Sequence, residues 1–366
     1  MFGYRIARRE TPLWGGQVRA FLVGLVIALL AGAVLLLLAG HSPIEVYTKM
    51  FTSSLGSPRA LSSTLARAVP LGLAGLAVAV AGSMGMWNIG AEGQIIAGAI
   101  GGAWVARLFP DLAGPALIPA MLVGAVAGGA LLALGPAIVR SRLGVSEIIT
   151  TLMLNEVAIR IVRYLVNGPW KDPESNNFPV APVLPEQSRL PTLFERADIG
   201  VLIAAVVLFG IGAFTARSRW GYELRIAGSS EPTATYVGIS MKQKLLTVLV
   251  LSGAIAGLAG GLELTGSADR LVEGVANGWG FAGIIVAALA LLRPSGVAAV
   301  AVAFGAIQIG GLAIKTQGVP SSIANILQAL ILFGALAAAV FGTHTLVRST
   351  TADRSADVAA ATGAEA

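Results

Sequence analysis

Cysteine is absent from the 366 residues, which excludes disulfides, thiolate metal sites and cysteine nucleophiles without identifying a compartment. Histidine is nearly absent: His41 and His344 each stand alone, in a loop or at the end of an apolar run, so an imidazole-based metal or catalytic site is not expected. No GxxxxGK run followed by Ser or Thr occurs, so the chain should neither bind nor hydrolyse ATP itself. Charged residues make up only 12% of the chain, and aromatic and basic residues do not interleave. The net charge of +6 gives no case for nucleic acid.

Apolar sequence is what the chain has in excess. Hydrophobic residues reach 55% and mean hydropathy is +0.80, beyond the balance of a soluble domain. Ala20 to Ala39, Ala113 to Val139, Ile199 to Ala216, Gly274 to Leu292, Pro294 to Ile314 and Thr316 to Val347 each run without a charge, the last with room for more than one span. Residues 69–86, 93–106, 145–166 and 245–262 are weaker candidates, for a total of about ten spans. The basic N-terminus before the first run looks like a signal peptide, but a long run with no clear cleavage signal favours a retained span. The expectation is therefore an all-α polytopic membrane protein.

Glycines recur at four-residue spacing, as in Gly98 and Gly102, Gly124 and Gly128, and Gly253, Gly257 and Gly261. Small residues on one face allow close helix packing in lipid; hinges are the other reading. Lysine and arginine set the orientation. Arg5, Arg8, Arg9 and Arg19, then Arg140 and Arg142, then the 217–244 segment, Arg293 and Arg348 belong inside. The loops at about 167–197 and 265–273 carry Asp172, Glu174, Glu186, Glu195, Asp269 and Glu273 and belong outside. A 40–68 loop with Lys49, Arg59 and Arg67 breaks the rule. Both termini face the cytoplasm in this scheme: a tail of residues 1–19, a membrane domain of 20–342, and a disordered tail of 343–366.

The stretch 72–82 resembles 253–266, and each precedes a Trp-containing polar break and another small-residue span. Two halves of five spans, the second inverted, would place a path at their interface; chance recurrence among Gly- and Ala-rich spans is the alternative. The first break, residues 85–94, carries Trp87, Asn88, Glu92 and Gln94 among Gly85, Gly90 and Gly93. It reads either as lining or gating a substrate path, with Trp279 in the second break, or as a short cytoplasmic turn holding two helices. In 145–166, Asn155 and Glu156 precede Arg160; Glu156 and Arg160 can pair at i,i+4, as a structural ion pair or along a path, on a helix expected to turn them to the bundle interior. Glu263 and Gln308, at the end and in the middle of other spans, suit packing hydrogen bonds or the path equally.

The basic segment 217–244 contains a helix signal with no core of its own. Ser230 can N-cap, Glu231 and Pro232 suit the first turn, and Gly238 suits the residue after the last. So short a helix is unstable alone and is expected to rest on a partner protein, an ordinary solvated loop being the alternative.

The runs LARAVPLGLAGLAVAVAGSMGMWNIGAEGQIIAGAIGGAW, GVSEIITTLMLN, ELRIAGSSEPTATYVGIS with LSGAIAGLAGGLE, and GWGFAGIIVAALALLRPSG resemble the permease subunits of ATP-binding cassette importers for nucleosides, relatives of ribose and branched-chain amino-acid permeases. The resemblance covers about 40–342. It implies a plasma-membrane importer with a cytoplasmic ATP-binding subunit holding ATP and Mg, a second similar permease and an extracytoplasmic substrate-binding lipoprotein, and no cofactor in this chain. It also makes 223–239 the ATPase-coupling segment, with Glu223, Arg225, Gly228, Ser230, Glu231 and Gly238. Ser230 stands where relatives often have Asn, and Thr233 and Thr235 flank Ala234 where an Ala pair is commoner. Two other readings are an ion-coupled secondary transporter, using Glu92, Glu156 and Glu263, and an importer permease for a sugar or another small polar solute.

Overall fold

The computed structural model describes residues 4–8, 16–176, 178–316 and 318–348, with side chains between 22 and 337 except at 177 and 317. The chain divides into two compact units, residues 1–46 with 319–366, and residues 47–318.

In the first unit, α1 (Gly16–Leu38) lies against α13 (Ser321–Thr343), and β1 (Tyr4–Arg8) pairs antiparallel with β4 (His344–Arg348). A Cβ added to Gly334 would lie 2.6 Å from the Ala28 Cβ, so the two backbones meet at small residues. Val26, Leu30 and Leu37 point outward, as a lipid-facing helix requires. The apolar run 316–347 holds one helix, not two, because Gly318 with φ +84° and Pro320 take up its first residues in a turn. The expected disordered tail begins with strand β4; residues 349–366 lie outside the described residues.

The chain enters the second unit within α2 (Pro43–Leu55). Its centre is α3 (Pro58–Gly82), buried almost continuously from Ala68 to Ala81 because alanines and glycines let neighbours close in on every side. Ser57 caps it by accepting from the Ala60 N–H at 3.1 Å, with Pro58 in the first turn. The expected 40–68 loop is therefore two helices, and Arg59 and Arg67 are helical residues.

Against α3 pack α4 (Ala91–Leu108), α7 (Gly200–Arg217), α10 (Met241–Glu263), α11 (Trp279–Leu289) and α12 (Pro294–Lys315), while α5 (Gly114–Leu143) packs on α4 and α10, and α6 (Glu147–Asn167) on α4 and α5. The connection from α6 to α7 carries one 3₁₀ turn and the short β2–β3 pair (Thr192–Phe194, Ala197–Asp198). That from α7 to α10 carries α8 (Arg219–Ser229) and α9 (Glu231–Tyr236). The recurrent glycines are where helices α4, α5 and α10 cross. A Cβ on Gly98 or on Gly129 would collide with the Gly257 backbone, and one on Gly257 would reach the Ala125 carbonyl.

Five of the described helices, α3, α5, α7, α10 and α12, are long and apolar enough to cross a membrane by length and composition. With α4, α6 and the shorter apolar stretches Leu22–Leu38, Trp279–Leu289 and Ser321–Ala337, the described helices of the two units come near the expected ten spans in number. Val123 and Leu131 on α5 and Val206 and Phe209 on α7 are exposed, as side chains facing lipid would be. The run 274–292 yields only the 11-residue α11, a rise of roughly 16 Å and about half the hydrocarbon thickness, because a π turn (Leu264–Ala268) and irregular backbone precede it.

Helices α3 and α10, which carry the two similar sequences, run antiparallel. The start of α3 lies by the loop pair, where Ser62 Oγ accepts from the Arg196 N–H at 3.2 Å, and its end abuts Gly228 of α8. The start of α10 is tied to α8 by Lys244 and Glu223 at 2.5 Å, and the residues after its end bond to the loop, Leu190 N–H to Thr265 O at 2.9 Å. Inverted halves require this reversal.

Candidate translocation and coupling sites

Between α3 and α4 the chain leaves helical geometry for residues 83–90, inside the bundle. Asn88 is fully buried and donates to Gln94 Oε1 and Ser252 Oγ, both at 2.7 Å; its Oδ1 accepts from the Gly90 N–H and from Gln94 Nε2, each at 3.1 Å. Ser252 donates onward to the Ala77 carbonyl at 2.6 Å. Ser252 is the twelfth of 23 residues in α10, which puts this polar knot at mid-span. Irregular backbone survives there because side chains supply the missing hydrogen bonds.

Glu92, 6% exposed, joins the knot to the second break. Its carboxylate accepts from the Gly278 N–H at 2.9 Å and the Gly280 N–H at 2.7 Å, the free donors at the start of α11. Asn155, also buried, faces α4 from α6: Oδ1 accepts from the Gly93 N–H at 2.8 Å and Nδ2 donates to the Ile89 carbonyl at 2.9 Å. Glu147 accepts from the Trp87 N–H at 3.2 Å and pairs with Arg140 at 3.3 Å. Asn88, Glu92, Gln94 and Asn155 thus bind one another and neighbouring elements, while Trp87 keeps part of its surface exposed. Trp279 is buried under the Arg67 guanidinium, 5.7 Å from its ring, and its indole N–H has no partner among the described residues.

Glu156 lies on the other side of α6. The buried residues of that helix, Glu147, Thr151, Asn155, Ala158, Val162 and Val166, recur at helical spacing; Glu156 and Arg160 fall outside that stripe, with side chains 66% and 69% exposed and 4.0 Å apart. The expectation that this pair faces the interior is therefore corrected: the stripe facing α4 carries Asn155. Glu156, Val157, Arg160, Ile161 and Tyr164 line an open groove of about 380 Å³. Sequence reading missed Tyr164, Ser252 and Glu147; i,i+4 spacing from Arg160 was a usable signal for Tyr164, whereas Ser252 lies in a small-residue run that marks nothing.

The capped segment forms as its residues dictate. Ser230 accepts from the Thr233 N–H at 3.3 Å, α9 follows, and Gly238 takes φ +79°. Ala234 alone of α9 is buried, while Tyr236 is 92% exposed. Helix α8 supports it: Arg225 donates to the Thr215 carbonyl at 2.8 Å, and Glu223 pairs with Lys244 at 2.5 Å and Arg219 at 3.1 Å. Lys244, then Arg219, hold the Glu223 carboxyl below its ordinary value. At the opposite end, burial raises Asp198 against the opposing hydrogen bond from the Gly200 N–H. There Arg163 pairs with Glu273, and Arg189 with Asp269. Among the described residues no three His, Asp or Glu side chains group as metal ligands.

The sequence of residues 60–336 matches the family model of the branched-chain amino acid transport system / permease component. The glucose ABC transporter permease protein of Haloferax volcanii is 34% identical, covering 89% of this chain and 88% of that protein. The guanosine ABC transporter permease protein of Bacillus subtilis is 32% identical over 85% of this chain and 90% of its own length. The nucleoside ABC transporter permease protein of Lactococcus lactis subsp. cremoris is 30% identical, covering 85% and 88%. A matched segment that spans most of the bundle, with its breaks and its capped segment, makes the chain a multi-pass, non-enzymatic member of the branched-chain amino acid transport system permease family.

Proposed function

We propose that this chain is the membrane path of a nucleoside importer of the ATP-binding cassette type. An ABC permease works with a separate ATPase and a substrate-binding protein; a second, similar permease and a lipoprotein as the binding protein belong to the proposal. The plasma membrane is the setting. The α8–α9 end and both termini face the cytoplasm, and the acidic α6–α7 loop faces outward, supported by Arg140, Arg142 and Arg217 gathering at the first end. ATP and Mg sit on the ATPase, which docks on α9 through its exposed surface.

The observation that carries the path is the Glu156–Arg160 pair. It sits at the tenth and fourteenth of 21 residues of α6, exposed at mid-span, where hydrocarbon penalises charge. This face must meet water or a partner; the shallow depression on it is lined by α6 alone and becomes a site only when a facing element closes over it. Tyr164 offers a ring for a base, and Glu156 and Arg160 offer an acceptor and donors for hydroxyl and base edges. Trp279 stays buried under Arg67 and does not reach this face; Trp87 keeps an exposed face at the break, and Asn88, Glu92, Gln94 and Asn155 hold the packing behind α6. Alternating access follows when the ATPase shifts α9 and the two permeases change their tilt.

Two relatives named for nucleoside and guanosine support the substrate, and the motifs NIGAEGQ and EIITTLMLN agree. A sugar is the second reading, favoured by the glucose relative. Uptake of labelled uridine and adenosine by the complete importer, competed with excess guanosine, glucose, ribose or leucine, separates them. Guanosine is expected to suppress uptake and glucose to leave it unchanged; glucose uptake that nucleosides do not suppress would refute the nucleoside assignment.

A further inference from the structure

We propose that the 83–90 break, with the first turn of α4, is the mechanical link between the coupling segment and α6, with Gly228 its input contact and Asn155 its output contact. The inference rests on the reading that α9 docks on the ATPase. The last turn of helix α8 carries Gly228, where an added Cβ would lie 2.5 Å from the Ser83 carbonyl oxygen and 2.9 Å from Met84 Cα. Backbone meets backbone there, with no flexible side chain between to absorb a displacement. Five residues on, Asn88 clamps the break to Gln94 and Ser252 at 2.7 Å each. Asn155 then takes both sides of the break, the Ile89 carbonyl and the Gly93 N–H, at 2.9 and 2.8 Å. Asn155 immediately precedes Glu156, so a shift of its backbone moves the groove face directly. Glu147, through the Trp87 N–H, is a second hold on α6 closer to the coupling end. Both Asn155 contacts go to backbone, so its work is to position α6.

The chain has no cysteine, so an introduced reporter is its single thiol, and labelling is read on this chain after the subunits are separated. Tyr236→Cys reports on the coupling segment and Val157→Cys on the groove face, both in the complete importer in nanodiscs. The readout is maleimide labelling rate with and without a non-hydrolysable ATP analogue. In the parent both positions should respond, the groove reporter by about fivefold or more. In Gly228→Ala and in Asn155→Ala the reporter at 236 should keep its response and that at 157 should lose it, and the double variant should lose no more than either single one. Residues far apart with no shared role would add their effects instead. A purely structural role would lower thermal stability and leave the ATP response at 157 in place. Retention of that response in either assembled variant, or additive losses, would overturn the link. A reporter at 236 silent to ATP in the parent would overturn the docking reading and the link with it. Failure of uridine uptake bears on neither, since no solute enters this assay.

Discussion

Glu92→Gln tests the buried knot at its most exacting point. Both carboxylate oxygens accept from backbone, the Gly278 N–H at 2.9 Å and the Gly280 N–H at 2.7 Å. An amide offers one oxygen and one NH₂, so in either orientation one N–H of α11 faces a donor. The loss combines a charge-assisted hydrogen bond with the favourable placement of a negative group at a helix start, about 2–4 kcal/mol in total. Water cannot rescue it, because the side chain is 6% exposed. Since α11 begins inside the bundle with no other cap, the damage should be local first. Hydrogen exchange in the peptide covering 275–285 should accelerate roughly 30-fold or more, following that free energy through local opening. Substrate preference should stay as in the parent. Exchange at the parent rate, or a switch in preferred solute with unchanged exchange, would refute the reasoning.

Glu156→Gln should leave thermal stability within about 0.5 kcal/mol, because the side chain is exposed, yet lower nucleoside uptake; normal uptake would remove it from the path. Ser252→Ala removes the acceptor for Asn88 and the donor to Ala77, leaving buried groups unpaired, and should cost about 1–3 kcal/mol in thermal unfolding. Gly257→Val drives a side chain into the Ala125 carbonyl and Gly129 and should abolish recovery of folded protein from membranes; a normal yield would show that α4, α5 and α10 do not cross as described. The Glu223 carboxyl sits below its ordinary 4.5, so its stabilising contribution is present above that pH and is lost as pH falls through the lowered value. Exchange in 219–244, corrected for intrinsic rate, should rise on such acidification in the parent and become insensitive to it in Glu223→Gln.

How far the sequence foretold this can be argued from particular residues. Ser230 and Gly238 were legible because capping is local: each needs only its own neighbours and a backbone angle. The Gly98, Gly128 and Gly257 spacing announced close helix contact for the same reason. The 85–94 break was legible as a break, yet its inward position was not, because what shelters it comes from Ser252 and Asn155, far away in sequence. Glu156 was misplaced by the assumption that charge in a span turns inward; the i,i+4 pairing was right, and the face was decided by which stripe of α6 meets α4. The partial length of α11 was hidden as well. Its apolar run reads as a full span, and only the Glu92 contact to Gly278 reveals where the helix begins.

A gate driven from outside through α9 should carry nothing by itself. Its most direct test is uptake of labelled uridine into liposomes holding either the complete importer or this chain alone, with ATP on the α9 side and an ion gradient imposed. The complete importer should accumulate uridine in an ATP-dependent way and the lone chain should accumulate none under either energy source; sustained uphill accumulation by the lone chain would show that it is not driven from outside.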